Sequence, residues 1–161
     1  AEGRKRVYAM ADFVKANMPG FEKSFVVDVA PQLGVRTTRL LDGEYVVSKD
    51  DVMKRVHFPD TVARGRDYYT PFRAMLPRGV DQLVVAGRHY SATEAAQKLS
   101  REIPPCMSMG QAAGVAAALA LDRDVAVRAV PPADICAKVR VQGGDPGDRP
   151  SENALVLETQ S

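Results

Sequence analysis

The residues best able to do chemistry gather around two points of the chain. The run Gln82-Leu83-Val84-Val85-Ala86 is continuously apolar and stops at Gly87-Arg88. A strand covered on both faces and ending in glycine lets a ligand approach the backbone closely, because no Cβ stands in the way. Further on, Met109-Gly110-Gln111 leads into Ala112, Ala113, Gly114, Ala116, Ala117 and Ala118, a run with almost no side-chain bulk. A helix starting near Met109-Gly110-Gln111 presents unpaired N–H groups and the positive end of its dipole there, which suits an anion or a partly negative carbonyl oxygen. The same residues also describe an ordinary, closely packed core helix of an α/β protein.

Individual side chains add further options. His89 follows the glycine-terminated run and has an imidazole suited to proton transfer near neutrality, or else a backbone-bonded place in a loop. Tyr68 and Tyr69 could line a pocket or supply a phenol donor, and packing residues with wet hydroxyls would look the same. Arg101 could bind an acidic group or pair with Glu94 or Glu102. Cys106 becomes redox-active if a helix end lowers its pKa, and is inert if buried; Cys136 reads as core. Two cysteines and two histidines, scattered as they are, do not make a metal site.

The elements that must position these groups follow from pattern. The chain has 161 residues, 45% apolar and 26% charged, which excludes wholesale disorder and suits one domain or the end piece of a larger one. Twenty-two basic residues against 20 acidic ones leave +2, too little to drive binding to nucleic acid or anionic lipid. No apolar stretch reaches the length of a membrane span. The start, Ala1-Glu2-Gly3-Arg4-Lys5-Arg6, is unlike a signal peptide and lacks methionine. A cytoplasmic chain, trimmed or cut from a longer polypeptide, is therefore expected.

Apolar spacing predicts a helix over 2–18, stopped by Pro19-Gly20. A short strand is expected at 24–29, and Asp42-Gly43 between two strand-like runs predicts a hairpin over 35–48. Ser48 is a helix cap ahead of Val52. Residues 57–71 read as an irregular loop with at most one short strand. Helices are expected over 111–121 and 133–141, with a loop or short helix at 91–100. The stretch 143–150 is a breaker-rich linker, and 154–157 is a strand-like patch in the tail.

In order along the chain, Gly34-Val35-Arg36, Gly43-Glu44-Tyr45-Val46-Val47, Pro71-Phe72-Arg73-Ala74-Met75-Leu76-Pro77, Leu83-Val84-Val85-Ala86-Gly87-Arg88 and Pro104-Pro105-Cys106-Met107-Ser108-Met109-Gly110-Gln111-Ala112-Ala113-Gly114 resemble FAD-dependent oxidoreductases of the glutathione-reductase-like superfamily. The resemblance runs from about residue 2 to about residue 142. It implies an α/β fold, the C-terminal portion of a Rossmann-like FAD-binding domain with part of a β-rich substrate domain. The expected division is 1–75 for the substrate part, 76–142 for the last strand and helices of the FAD-binding part, and 143–161 for linker and tail. It further implies FAD contacts from Gly87, Arg88, Met109, Gly110, Gln111 and Ala112, and hydride transfer to or from flavin N5 on a small organic substrate. His89, Ser91, Arg101 and Tyr69 form the expected catalytic set. Glu94 stands where the family often has a histidine, and His89 comes near the flavin instead.

The superfamily's Gly-x-Gly-x-x-Gly fingerprint does not occur in the sequence. The implied partner is therefore an N-terminal FAD-binding chain or fragment of the same enzyme, in an obligate hetero-oligomer. A non-catalytic assembly subunit that kept the fold without flavin is the alternative.

Overall fold

A computed structural model describes residues 2–157, which divide into two compact units, residues 2–36 and 37–157. Residue 1 and the last four residues of the expected tail lie outside the described part. The architecture is mixed: helices with two small two-stranded sheets. Among the described residues no helix is long and apolar enough to cross a membrane, and no group of acidic, histidine or cysteine side chains is disposed to hold a metal ion.

The first unit contains the predicted helix, α1 (Glu2–Asn17), with the Glu2–Arg6 pair one turn apart. Its apolar side, Val7, Met10 and Phe13 with the neighbouring Tyr8, is formed but exposed, and no residue of the helix is buried. The strand expected at 24–29 does not form; Phe25 and Val27 are exposed, and among the described residues the segment pairs with no strand.

In the second unit, α2 (Lys49–Met53) carries a full capping box: the Ser48 hydroxyl accepts from the Asp51 N–H while the Asp51 carboxylate accepts from the Ser48 N–H. A short strand, β1 (Val56–His57), follows. The expected irregular loop holds an antiparallel pair, β2 (Thr61–Arg64) and β3 (Tyr69–Pro71). Next come α3 (Glu94–Ser100), capped by the Thr93 hydroxyl, then α4 (Ile103–Arg123) and α5 (Pro132–Val141). The core forms where α4 packs on β2 and α5. Ala112 and Ala116 are fully buried, as are Val62 and Ala63 of β2 and Ile135 of α5. Small side chains on α4 let these elements approach closely.

The hairpin predicted around Asp42-Gly43 does not form. Gly43 instead makes an isolated antiparallel bridge to Pro77, and Val47 a parallel bridge to Ala92. The glycine is there for close approach, not for a turn: a Cβ at position 43 would lie 2.6 Å from the Ser91 Cβ. The strand expected at 82–86 is likewise an extended segment without a sheet partner among the described residues, held by the Val85 N–H on the Met75 carbonyl (2.8 Å). The 143–150 stretch, expected as a linker, is packed. Pro146 and Gly147 are buried, and the Gly147 carbonyl lies 3.0 Å from His57 Nε2. The tail patch becomes β4 (Leu155–Val156), parallel to β1.

Candidate functional site

The turn after Ala86 is tied down from every side. Gly87 has φ +96°, a conformation that favours glycine, and its carbonyl accepts from the Tyr90 N–H at 3.0 Å. The Arg88 carbonyl accepts from Gln97 Nε2 at 3.0 Å, and the His89 carbonyl from the Leu41 N–H at 2.9 Å. Gln97 is fully buried and also accepts from the Thr37 hydroxyl. The backbone is thus fixed while the Arg88 and His89 side chains stay exposed. The nearest atom to a Cβ built on Gly87 is His89 Cε1, at 4.0 Å, so the bare backbone faces open space.

Ser91 lies two residues beyond His89 but is fully buried. Its hydroxyl accepts from the Gly43 N–H (3.1 Å), and its N–H donates to the Ala74 carbonyl (2.9 Å). Tyr90 is also buried, with its hydroxyl 2.7 Å from the Ser100 hydroxyl. Burial pushes the Tyr90 phenol up to about 12, although the Ser100 bond works against it.

The long helix begins earlier than its sequence suggests. The expected N-terminus at Met109-Gly110-Gln111 lies two turns inside α4, because Pro104 and Pro105 fit the first turn and the helix starts at Ile103. The N–H groups of residues 109–112 are therefore spent on helical bonds, not offered to a ligand. At the true N-terminus the two prolines remove two of the usual four free donors. The four residues divide between faces of the helix, and only positions three apart share one. Met109 and Ala112 face the core, fully buried, and Gln111 donates through Nε2 to Gln142 of the segment after α5 (3.1 Å). Gly110 faces outward, as does Gly114, and nothing lies within 4 Å of a Cβ built on either. With Ile103, Met107, Ala118 and Leu121, they form one exposed stripe of apolar and small residues along α4.

The other candidates are dispersed. Tyr69 is buried, edge-on to His57 at 4.8 Å between ring centroids; its hydroxyl donates to Ser151 Oγ and accepts from the Ser151 N–H. Arg101 is half-buried at the end of α3. Its expected partner Glu94 pairs with Lys98 at 2.7 Å instead. Cys106 and Cys136 are both free thiols. The helix end does not activate Cys106: burial raises its pKa, with Glu102 adding to the rise and Arg88 opposing it. Burial pushes the Cys136 thiol up to about 11.

Sequence reasoning overlooked Gln97, which fastens the Arg88 carbonyl. Its signal was present: it stands four residues after the Thr93 cap, so α3 must turn it inward. It also set Tyr68 beside Tyr69 without separating them. Tyr68 is buried, and its hydroxyl has no hydrogen-bond partner among the described residues.

A turn with bare backbone in a left-handed conformation and a long helix with a glycine-spaced open face stand out on this mixed α/β chain. The chain belongs to the FAD-dependent oxidoreductase family: the model of that family matches residues 1–68 and 64–140. The family's cofactor is FAD, and its chemistry is oxidation and reduction. No curated protein and no solved structure matches the chain. Gly87 leaves its main chain bare toward open space, the room that close approach of such a cofactor needs. The sequence contains no glycine fingerprint for the other end.

Proposed function

We propose that this chain is the C-terminal part of an FAD-dependent oxidoreductase of the glutathione-reductase-like type. It acts on a small organic substrate, and a cytoplasmic N-terminal chain or fragment completes the cofactor site in a hetero-oligomer. In this reading residues 1–75 belong to the substrate part, and residues 76–142 close the Rossmann-like FAD-binding part. The observation that carries it is the Gly87 turn, whose backbone is locked yet bare toward open space. The open stripe on α4 and the unpaired segment 83–86 are the surfaces on which the N-terminal part packs.

When bound, FAD supplies hydride transfer through flavin N5. This chain's residues position it. Gly87 gives close approach, and the Arg88 guanidinium, exposed beside it, balances negative charge. Gly110 and Gly114 let a neighbour lie flat on α4, with Met109, Gln111 and Ala112 holding the helix in place beneath. His89 is the exposed imidazole nearest the turn and the group able to move a proton there. In this assignment Arg101 orients the substrate, while Ser91 and Tyr69 act through the loops they hold.

Co-expression with the N-terminal part, followed by an absorption spectrum, tests the reading. A yellow complex is expected, and a colourless, flavin-free complex overturns it. The absent glycine fingerprint is the one feature that favours the second reading, a non-catalytic assembly subunit. Gly110→Val separates the two: it lowers flavin content in an enzyme and has no flavin to lower in an assembly subunit.

A further inference from the structure

The peptide between Arg88 and His89 is aimed by a side chain that is itself sealed from solvent. Gln97, on the inward side of α3, is fully buried. Its Nε2 donates to the Arg88 carbonyl at 3.0 Å, and its Oε1 accepts from the Thr37 hydroxyl at 2.9 Å. These two partners allow the amide one orientation. A carbonyl oxygen can only accept, so the NH2 end must face Arg88, and the oxygen is then left to the hydroxyl, which can donate.

Every peptide bond of the described chain is trans. In a trans peptide the C=O and the N–H point in opposite directions. Holding the Arg88 carbonyl toward Gln97 therefore sends the His89 N–H away from it. One peptide earlier the same rule applies: the Gly87 carbonyl accepts from the Tyr90 N–H at 3.0 Å, so the Arg88 N–H points the other way. Neither the Arg88 N–H nor the His89 N–H has an acceptor among the described residues, and both residues are exposed.

The turn is thus one-sided. Its three carbonyls, of residues 87, 88 and 89, are bonded within the protein, and two of its donors are left over. The Gly87 and His89 carbonyls are held by main-chain N–H groups, of Tyr90 and Leu41, while the Arg88 carbonyl depends on a side chain nine residues further on. Without that side chain the 88–89 peptide is the one left to rotate, which needs a change only in ψ of Arg88 and φ of His89.

We infer that Gln97 is the positioning residue of this turn: its amide, locked by Thr37, keeps the His89 N–H directed outward as a donor to an oxygen of the bound flavin cofactor. The inference rests on the function proposed above, in which FAD lies against Gly87 and Arg88.

The test uses the complex of the full chain with its N-terminal part and reads FAD affinity by flavin fluorescence, beside the melting temperature of each variant. Gln97→Met keeps the length of the side chain and removes the donor; it should weaken FAD about tenfold, the effect of one hydrogen bond. Thr37→Val unlocks the amide and should weaken FAD about threefold. Thr37→Ser keeps the hydroxyl and should bind FAD as the wild type does. Cys136→Ala gives up only the buried thiol's bond to the Thr61 carbonyl (3.3 Å), so it should lower the melting temperature and leave FAD affinity unchanged. In the full chain without flavin, Gln97→Met should move the Arg88 carbonyl-carbon and His89 amide-nitrogen resonances and leave those of Val85, held on the Met75 carbonyl, in place. If Gln97→Met does not fold, the two Thr37 variants carry both measurements.

A yellow wild-type complex whose Gln97→Met and Thr37→Val forms hold FAD as tightly as the wild type overturns the inference and leaves the proposed function standing. So does a Thr37→Ser form as weak as Thr37→Val, a Cys136→Ala form that loses FAD along with stability, or an Arg88–His89 peptide whose resonances do not move. A colourless wild-type complex overturns the proposed function, and the inference with it.

Discussion

Gly43→Ala is expected to be among the most destabilising single-methyl changes available in this chain. The added Cβ would lie 2.6 Å from the Ser91 Cβ, 2.9 Å from the Ser91 hydroxyl and 3.3 Å from the Arg73 carbonyl. Carbon atoms in good contact sit about 3.5–4.0 Å apart, so the backbone must withdraw by roughly an ångström. Overpacking of this kind costs about 1–3 kcal/mol. Withdrawal also stretches the 3.1 Å hydrogen bond from the Gly43 N–H to the Ser91 hydroxyl, worth about 1 kcal/mol more. The total is about 2–4 kcal/mol. With urea slopes of about 1–3 kcal/mol per molar, the unfolding midpoint should fall by about 1–2 M. Ser91→Gly removes both atoms in the way, so in the double variant the two costs should not add: the alanine should cost at least about 1 kcal/mol less when residue 91 is glycine. Ser91→Ala keeps the Cβ and should rescue far less. A near-neutral Gly43→Ala, or strict additivity with Ser91→Gly, would refute the close-approach account and return Ser91 to the list of groups free to do chemistry.

Tyr69→Phe removes a donor and an acceptor to Ser151 and should cost about 1–2 kcal/mol by chemical denaturation; limited proteolysis should then cut faster near residue 151, with turnover of the reconstituted enzyme retained. Cys136 should resist iodoacetamide at neutral pH in the folded chain, while the half-buried Cys106 reacts slowly and faster as pH rises, as peptide mass spectrometry would show. The Cys136 shift also has a sign for stability. The folded thiol, at about 11, holds its proton where the unfolded one, near 9, has lost it, so stability should fall between those pH values and fall less steeply in Cys136→Ala.

What could be read from the sequence was whatever rests on local chemistry. The spacing of Val7, Met10 and Phe13, the Ser48–Asp51 box and the Pro131-Pro132 start of α5 are local signals for helices, and those helices are present. The misses come where distant partners decide. Asp42-Gly43 carries turn chemistry, but residue 91 claims the glycine. Leu83–Ala86 has the composition of a buried strand, yet a strand needs a neighbour, and none is present among the described residues. Thr61–Arg64 and Tyr69–Pro71 pair around a short turn holding Gly65, whose bare Cα admits the Tyr68 ring; two tyrosines, a proline and a glycine concealed that alternation. The left-handed turn at Gly87 was legible because a glycine ending an apolar run is a local signal. The start of α4 was not: the run of small residues set the expected start near Met109, whereas the paired prolines occupy the first turn of the helix.

The clasp made by the C-terminal segment has a consequence for assembly. His57 meets Gly147 across 90 residues of chain, and Tyr69 meets Ser151 across 82. The small hairpin at the centre of the larger unit must therefore wait, partly unfastened, until a stretch synthesised much later arrives to hold it. Closure over such separations is slow compared with helix formation, and the interval leaves strand edges bare. Shortening the chain ahead of Gly147 should thus be felt first as poor yield and clumping during expression, before any property of the finished protein is measured.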